Sequence, residues 1–273
     1  MTRLLTLLCA VVFATVAMAA DALHYATKTD ICYTLSTDAY ARERCQLDVY
    51  YPTDATDAPV VVWFHGGGLT GGNRSVPEEL TNAGLVVVAV NYRLMPRADI
   101  SDCIDDAACA VAWAFKHAAE YNGSASKIYV SGHSAGGYLT SMIGLDKKWM
   151  QKYGIDANSI AALLPLSGQA ITHFARREQQ GIPAYQATID EFAPLTFVRP
   201  DAAPMLIISG DREEEMNGRY EEQAYFWRMM KLCGSNRVWL YEMQGYNHGE
   251  MYRPGLGVVK KYIRAMEEGR EWK

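Results

Sequence analysis

The sequence predicts an α/β domain with a mostly parallel central sheet and helices on both faces, on the strength of three observations. Short apolar runs rich in Val, Ile and Tyr alternate with longer stretches of helical period. Several of those runs are continuously apolar, the pattern of strands buried on both faces. The chain is 273 residues long, enough to bury a sizeable core, and shows no internal repeat, low-complexity tract or interdomain linker, so one domain over 21–273 is the simplest organisation.

The elements follow in order. Strands are expected at CQLDVYYP (45–52), PVVVWFHG (59–66), LVVVAVNYR (85–93), KIYVSG (127–132), IAALLPLSG (160–168), APMLIISG (203–210) and RVWLYEM (237–243). Residues 101–119 carry Ile104, Ala108, Val111, Phe115 and Ala118 at spacings of three and four, so they read as a helix capped by Ser101 or Asp99. Similar helices fit 134–145, 218–232 and 255–268. The polar, mixed stretch from about 169 to 198 is too long for an ordinary strand-to-helix connection and reads as a small lid insertion over one end of the sheet.

Composition excludes several classes. Apolar residues make up 49% and charged residues 21%, and the net charge of −5 is spread without long single-sign blocks, so no basic surface for nucleic acid is expected. The six histidines lie far apart and no CxxC pair occurs, so metal-ligand spacing is missing; neither a metal nor an organic cofactor is expected. Residues 1–20, MTRLLTLLCAVVFATVAMAA, have an arginine, an apolar run and an Ala-Met-Ala ending, which is the pattern of a signal peptide. The run is short for a membrane span. The mature chain is therefore expected to be exported, periplasmic or secreted, without a span. Export permits disulfides. Of the cysteines beyond the leader, Cys103 and Cys109 would lie about 9 Å apart along one helix, too far to bridge. The connectivity of the others, like the oligomeric state, is left open.

Ser134 lies in IYVSGHSAGGYLTSMIG, at the centre of Gly132-His133-Ser134-Ala135-Gly136. The G-x-S-x-G pattern arises by chance in many chains. Here it closes a buried strand and opens a helix, the context in which a nucleophile elbow needs small neighbours. Upstream, FHGGGLTGG (64–72) follows another strand. Acyl transfer passes through an oxyanion, and consecutive glycines leave backbone N–H groups open to it, so Gly67, Gly68 and Ala135 are assigned to the oxyanion hole. A phosphate cradle is excluded by the absence of the Lys-Ser/Thr that ends a P-loop. A serine hydroxyl needs a base. His248, in QGYNHGEMY just beyond the last strand, is the candidate; His133 is expected to point away from the elbow and His65 to brace the glycine loop. The orienting acid should come from SGDREEE. Glu213 is preferred, Asp211 is the alternative, and Glu214 and Glu215 read as a solvated charge run.

The order serine, acid, histidine, together with HGGG, NYRL, GHSAGG, GDRE and NHG, resembles the α/β-hydrolase superfamily, specifically its esterase/lipase group of hormone-sensitive-lipase-like and feruloyl-esterase-like enzymes. The resemblance runs over about 45–265. It implies the α/β-hydrolase fold and an acid three residues after the glycine that closes its strand, hence Glu213, where relatives usually carry aspartate. Too few residues precede the first strands for a long helical cap, so the compact secreted members that act on polysaccharide esters resemble this chain more. Arg93, Asp105 and Asp106 also fall at recurrent family positions and read as structural. The implied activity is that of a serine carboxylesterase acting through an acyl-enzyme on small-molecule or carbohydrate esters. An arylformamidase or peptidase of the same fold is the alternative, and a noncatalytic binding module is a third reading. Trp63, Leu69, Tyr138, Phe174 and Tyr185 are candidates for lining a substrate pocket.

Overall fold

A computed structural model describes residues 23–183 and 185–272; the leader read at 1–20 lies outside them. Eight strands form one sheet: β1 (Tyr25–Cys32), β2 (Gln46–Pro52), β3 (Ala58–Phe64), β4 (Val86–Val90), β5 (Gly123–His133), β6 (Ala162–Leu166), β7 (Met205–Gly210) and β8 (Val238–Met243). Their order is β1-β2-β4-β3-β5-β6-β7-β8, with β2 antiparallel to both of its neighbours and every later pair parallel. Seven strands match the sequence expectation. β1 is additional: it pairs at the edge, and Thr27, Lys28, Thr29 and Asp30 along it are all exposed, so no buried apolar run announced it.

The helices are α1 (Ala39–Arg44), α2 (Ile100–His117), α3 (Ala135–Leu145), α4 (Lys147–Gln151), α5 (Phe174–Gln179), α6 (Arg219–Leu232) and α7 (Tyr252–Glu267). Asp99 caps α2, in a capping box with Asp102 that satisfies two otherwise orphaned amides. α7 begins three residues earlier than expected because Pro254 sits in its first turn, where no intrahelical N–H is needed.

Alternate side chains of β3 enter two cores. Val60, Val62 and Phe64 pack with α2, α3 and α6, whereas Val61 and Trp63 pack with Leu80 and α7. The loops after β3, β5, β7 and β8 therefore emerge along one edge of the sheet with a helical layer on either side, the usual position of a binding crevice in such sheets. On the side of α2, Arg93 forms a two-pronged ion pair with Asp106 at 2.8 Å on each prong, and Asp105 pairs with Lys152 at 2.7 Å, anchoring the loop after β4 to α2 and α2 to α4. The five described cysteines are all free thiols. Burial pushes the Cys109 thiol up to about 11, and Cys103 donates to the carbonyl of Arg93 at 3.0 Å.

Candidate active site

The turn from β5 into α3 holds Ser134 at φ 57°, ψ −115°. A residue other than glycine rarely occupies positive φ, and the strain persists because the surroundings fix it. The Ser134 amide donates to Leu166 O at 2.8 Å, and its carbonyl accepts from Tyr138 N–H at 3.0 Å. The flanking glycines are dictated by contact. A Cβ on Gly136 would lie 2.1 Å from Phe64 O, and one on Gly132 would lie 2.5 Å from the carbonyl carbon of Gly136.

His248 lies in the loop between β8 and α7. Its Nε2 is 2.9 Å from Ser134 Oγ. Its carbonyl accepts from His133 Nε2–H at 2.8 Å, and the two rings pack 4.7 Å apart. Burial, with His248 beside it, pulls His133 down to about 4, so that ring stays neutral and its Nε2–H remains on the His248 carbonyl at neutral pH. His133 thus turns away from Ser134, as expected, and supports the loop that carries His248.

The carboxylate that meets His248 is not one of the two expected. Glu215 Oε1 lies 2.6 Å from His248 Nδ1, and the Glu215 side chain is 1% exposed. Glu213 is exposed, and its amide donates to Asp211 Oδ1 at 2.9 Å. The Asp211 carboxylate is taken up by that bond and by the Gly245 amide at 2.6 Å. Neither Glu213 nor Asp211 meets the imidazole. The physical reason is the turn itself: Asp211 caps it as aspartate commonly does, and the Glu214 and Glu215 amides both donate to Asp211 O at 3.0 and 2.8 Å. Those two bonds coil the chain, so the third glutamate of the run points back to the strand end. Glu215 Oε2 accepts there from Gly210 N–H at 3.0 Å. Burial alone would raise its carboxyl; hydrogen bonds from His248, the Met216 amide and Ser167 outweigh burial and hold it at about 2.

Gly67 and Gly68, on the loop after β3, have φ of 114° and 65°. At Gly67 a Cβ would stand 2.3 Å from Gly71 O, so only glycine fits. The loop crosses Ser134 closely: a Cβ on Gly66 would be 3.4 Å from that of Ser134. Among the described residues no acceptor pairs with the amides of Gly67, Gly68 or Ala135. His65 donates from Nδ1 to Gly66 O at 2.6 Å and stacks on Tyr92, bracing the loop.

The two sides of Ser134 differ. Toward α3, the Phe174 ring abuts the glycine loop, its Cζ 2.8 Å from where a Gly68 Cβ would stand. Phe174 opens α5 within the long segment after β6, which is tied down by Gln169 Oε1 to the Phe174 amide (3.0 Å), Tyr138 OH to Phe192 O (2.7 Å) and Glu222 Oε2 to the amides of Ala170 and Ile171 (2.9 and 3.1 Å). Toward α7 lies a recess of about 250 Å³ lined by Trp63, Gly66, Ser75, His133, Gly249 and Tyr252. Of the remaining pocket candidates, Leu69 and Tyr138 are fully buried in the core and Tyr185 is 83% exposed. Among the described residues no group of three His, Cys, Asp or Glu is placed to hold a metal, and no helix is long and apolar enough to cross a membrane.

A family model described as BD-FAE matches residues 47–224. The chain belongs to the BD-FAE family. It thereby falls within the esterase/lipase group of α/β-hydrolases. A rice (Oryza sativa subsp. japonica) relative of the BD-FAE chain, named probable isoprenylcysteine alpha-carbonyl methylesterase ICMEL1, is 24% identical over 84% of this chain and 59% of its own length. The BD-FAE chain therefore spans less than two thirds of that curated relative. Among solved structures, esterase 2 of Thermogutta terrifontis phosphoramylated by tabun matches with TM-score 0.71 at 23% identity, covering 88% of this chain and 94% of that one. A truncated carbohydrate esterase from gut microbiota matches with TM-score 0.73 at 18% identity, covering 90% and 97%. These likenesses establish the α/β-hydrolase fold.

Proposed function

We propose that this BD-FAE chain is a serine carboxylic-ester hydrolase with Ser134 as nucleophile, His248 as base and Glu215 as orienting acid. The observation that carries the reading is the continuous line from Glu215 Oε1 to His248 Nδ1 (2.6 Å) and from His248 Nε2 to Ser134 Oγ (2.9 Å). The names of the matched esterases support it. The leader read at residues 1–20 supports export.

The steps follow from that line. His248 Nε2 takes the Ser134 hydroxyl proton while Oγ bonds to the ester carbonyl carbon, and the carbonyl π pair moves onto oxygen. The amides of Gly67, Gly68 and Ala135 donate to that oxyanion; Ala135 adds the positive end of α3. Collapse breaks the bond to the alcohol oxygen, which takes the proton from His248 Nε2 and leaves as alcohol. Water then loses a proton to the same nitrogen, attacks the acyl-enzyme, and the returning proton restores the Ser134 hydroxyl as the carboxylic acid departs.

The leaving oxygen must depart close to His248 Nε2. The recess beside Gly249, Tyr252 and Trp63 therefore serves the alcohol, and its aromatic walls and volume suit a sugar ring or another compact alcohol. The acyl group lies on the opposite side, against Phe174, with the segment of about 169–198 acting as its lid. Phe174 closes that side near the carbonyl, which favours short acyl chains.

The test is Ser134→Ala assayed on an aryl acetate. Turnover should fall by about 10³-fold or more with the fold retained; a variant as active as the parent refutes the assignment. Rates on N-formylkynurenine and short peptides measured beside it separate ester from amide specificity.

A further inference from the structure

Ser167 closes β6 in the left-handed region, with φ 46°, and is fully buried. Its hydroxyl is 2.8 Å from Glu215 Oε2 and 2.8 Å from His248 Nδ1. Glu215 as a carboxylate only accepts, so the Ser167 O–H donates to it. The same oxygen then turns a lone pair toward Nδ1–H, which is shared between Glu215 Oε1 and Ser167 Oγ.

The backbone around Ser167 is built to hold this pose. Its amide donates to Ile208 O at 2.7 Å, and its carbonyl accepts from the Arg219 guanidinium. Arg219, 4% exposed, pairs with Glu222 at 3.0 Å, and Glu222 in turn accepts from the amides of Ala170 and Ile171. Gln223 Nε2 donates to Gly168 O at 2.9 Å. Two charged residues and an amide on α6 are thus engaged in fixing residues 167–171. A positive φ at a buried serine persists only where surroundings over-determine it, and such positions gather at functional sites.

We propose that Ser167 is a positioning residue of the catalytic system, locking Glu215 and His248 into one unit and presenting a second acceptor to Nδ1–H when the imidazole carries its extra proton. The inference rests on the proposed roles of Ser134, His248 and Glu215. It goes beyond them by assigning a fourth side chain that touches neither substrate nor nucleophile.

The variants are Ser167→Gly and Ser167→Ala. Glycine adopts positive φ without strain, so Ser167→Gly removes the hydroxyl while relieving the backbone. We expect kcat on an aryl acetate to fall by about 10- to 100-fold, the value of one hydrogen bond to a charged group. KM should stay within about twofold. The Tm of the glycine variant should stay within about 4 °C of the parent. A purely structural serine would lose stability and activity together. The low-field proton resonance of His248 Nδ1–H should also move in both variants. Ser167→Ala keeps the strained backbone and should show the same loss of kcat with the lower Tm. A kcat within about threefold of the parent in a folded variant, an unmoved Nδ1 proton, or failure of both variants to fold overturns the proposal. Inactive Ser134→Ala together with fully active Ser167→Gly overturns this inference alone, whereas active Ser134→Ala removes the reading beneath it.

Discussion

Replacing Glu215 by glutamine keeps the shape of the side chain and removes its charge, so it isolates the acid's electrostatic part. In the proposed transition state His248 is an imidazolium, with Nδ1 2.6 Å from Glu215 Oε1. Two unit charges whose centres are about 4 Å apart attract by about 4 kcal/mol at an effective dielectric near 20. At 1.36 kcal/mol per factor of ten this corresponds to roughly 10³-fold in rate. The carboxylate is present throughout the working range because its hydrogen bonds hold Glu215 at about 2 despite burial. The assay is steady-state hydrolysis of p-nitrophenyl acetate near pH 7.5. Glu215→Gln should lose about 10³-fold in kcat/KM, with KM little changed. Glu213→Gln, at an exposed side chain, should stay within about twofold. Asp211→Asn keeps one acceptor oxygen but turns the other into an NH2 that faces the Glu213 or Gly245 N–H, and should loosen the turn, lowering Tm more than kcat. A Glu215→Gln enzyme within tenfold of the parent, or an equally large loss in Glu213→Gln, would rule out Glu215 as the partner of His248.

Two further predictions concern specificity and pH. Phe174→Ala opens the space against Gly68 and should raise kcat/KM for p-nitrophenyl hexanoate relative to acetate by roughly tenfold, the value of one or two methylenes in an apolar pocket; an unchanged ratio would place the acyl group elsewhere. Burial, with Arg44 near His65 and His248 near His133, pulls both rings from 6.5 to about 4. Between those pH values the unfolded chain takes up protons that the folded chain refuses, so stability is full above pH 6.5 and falls as pH drops toward 4, by about 3 kcal/mol per ring. Glu215, held at about 2, continues the loss below pH 4.5. Differential scanning calorimetry should therefore show Tm falling by about 10 °C or more from pH 7 to pH 4.5, and a flat profile would contradict the burial of these rings.

The sheet was legible because parallel strands buried on both faces leave continuous apolar runs, and Val60 to Phe64 and Val86 to Val90 are such runs. β1 was not, since an exposed edge strand carries no such mark. At the site, the glycines around Ser134 and at 66–68 were readable because close backbone approach admits no other residue. The choice among Asp211, Glu213 and Glu215 was not. Three of the four acids in that run are chemically the same, and the chain's path decides which one turns inward. That path depends on Asp211 capping its own turn and on the Gly245 amide, more than thirty residues away. The role given to Ser167 was equally hidden, since the groups that meet it come from distant elements: Arg219 at its carbonyl, Glu215 and His248 at its hydroxyl.

The most direct test of the central claim is mass spectrometry of the protein after incubation with paraoxon, with residual esterase activity followed in parallel. A single diethylphosphoryl group is expected on the peptide containing Ser134, rising in proportion to the activity lost and absent from Ser134→Ala. Modification at another residue, or an enzyme that stays active once Ser134 is fully modified, would contradict it.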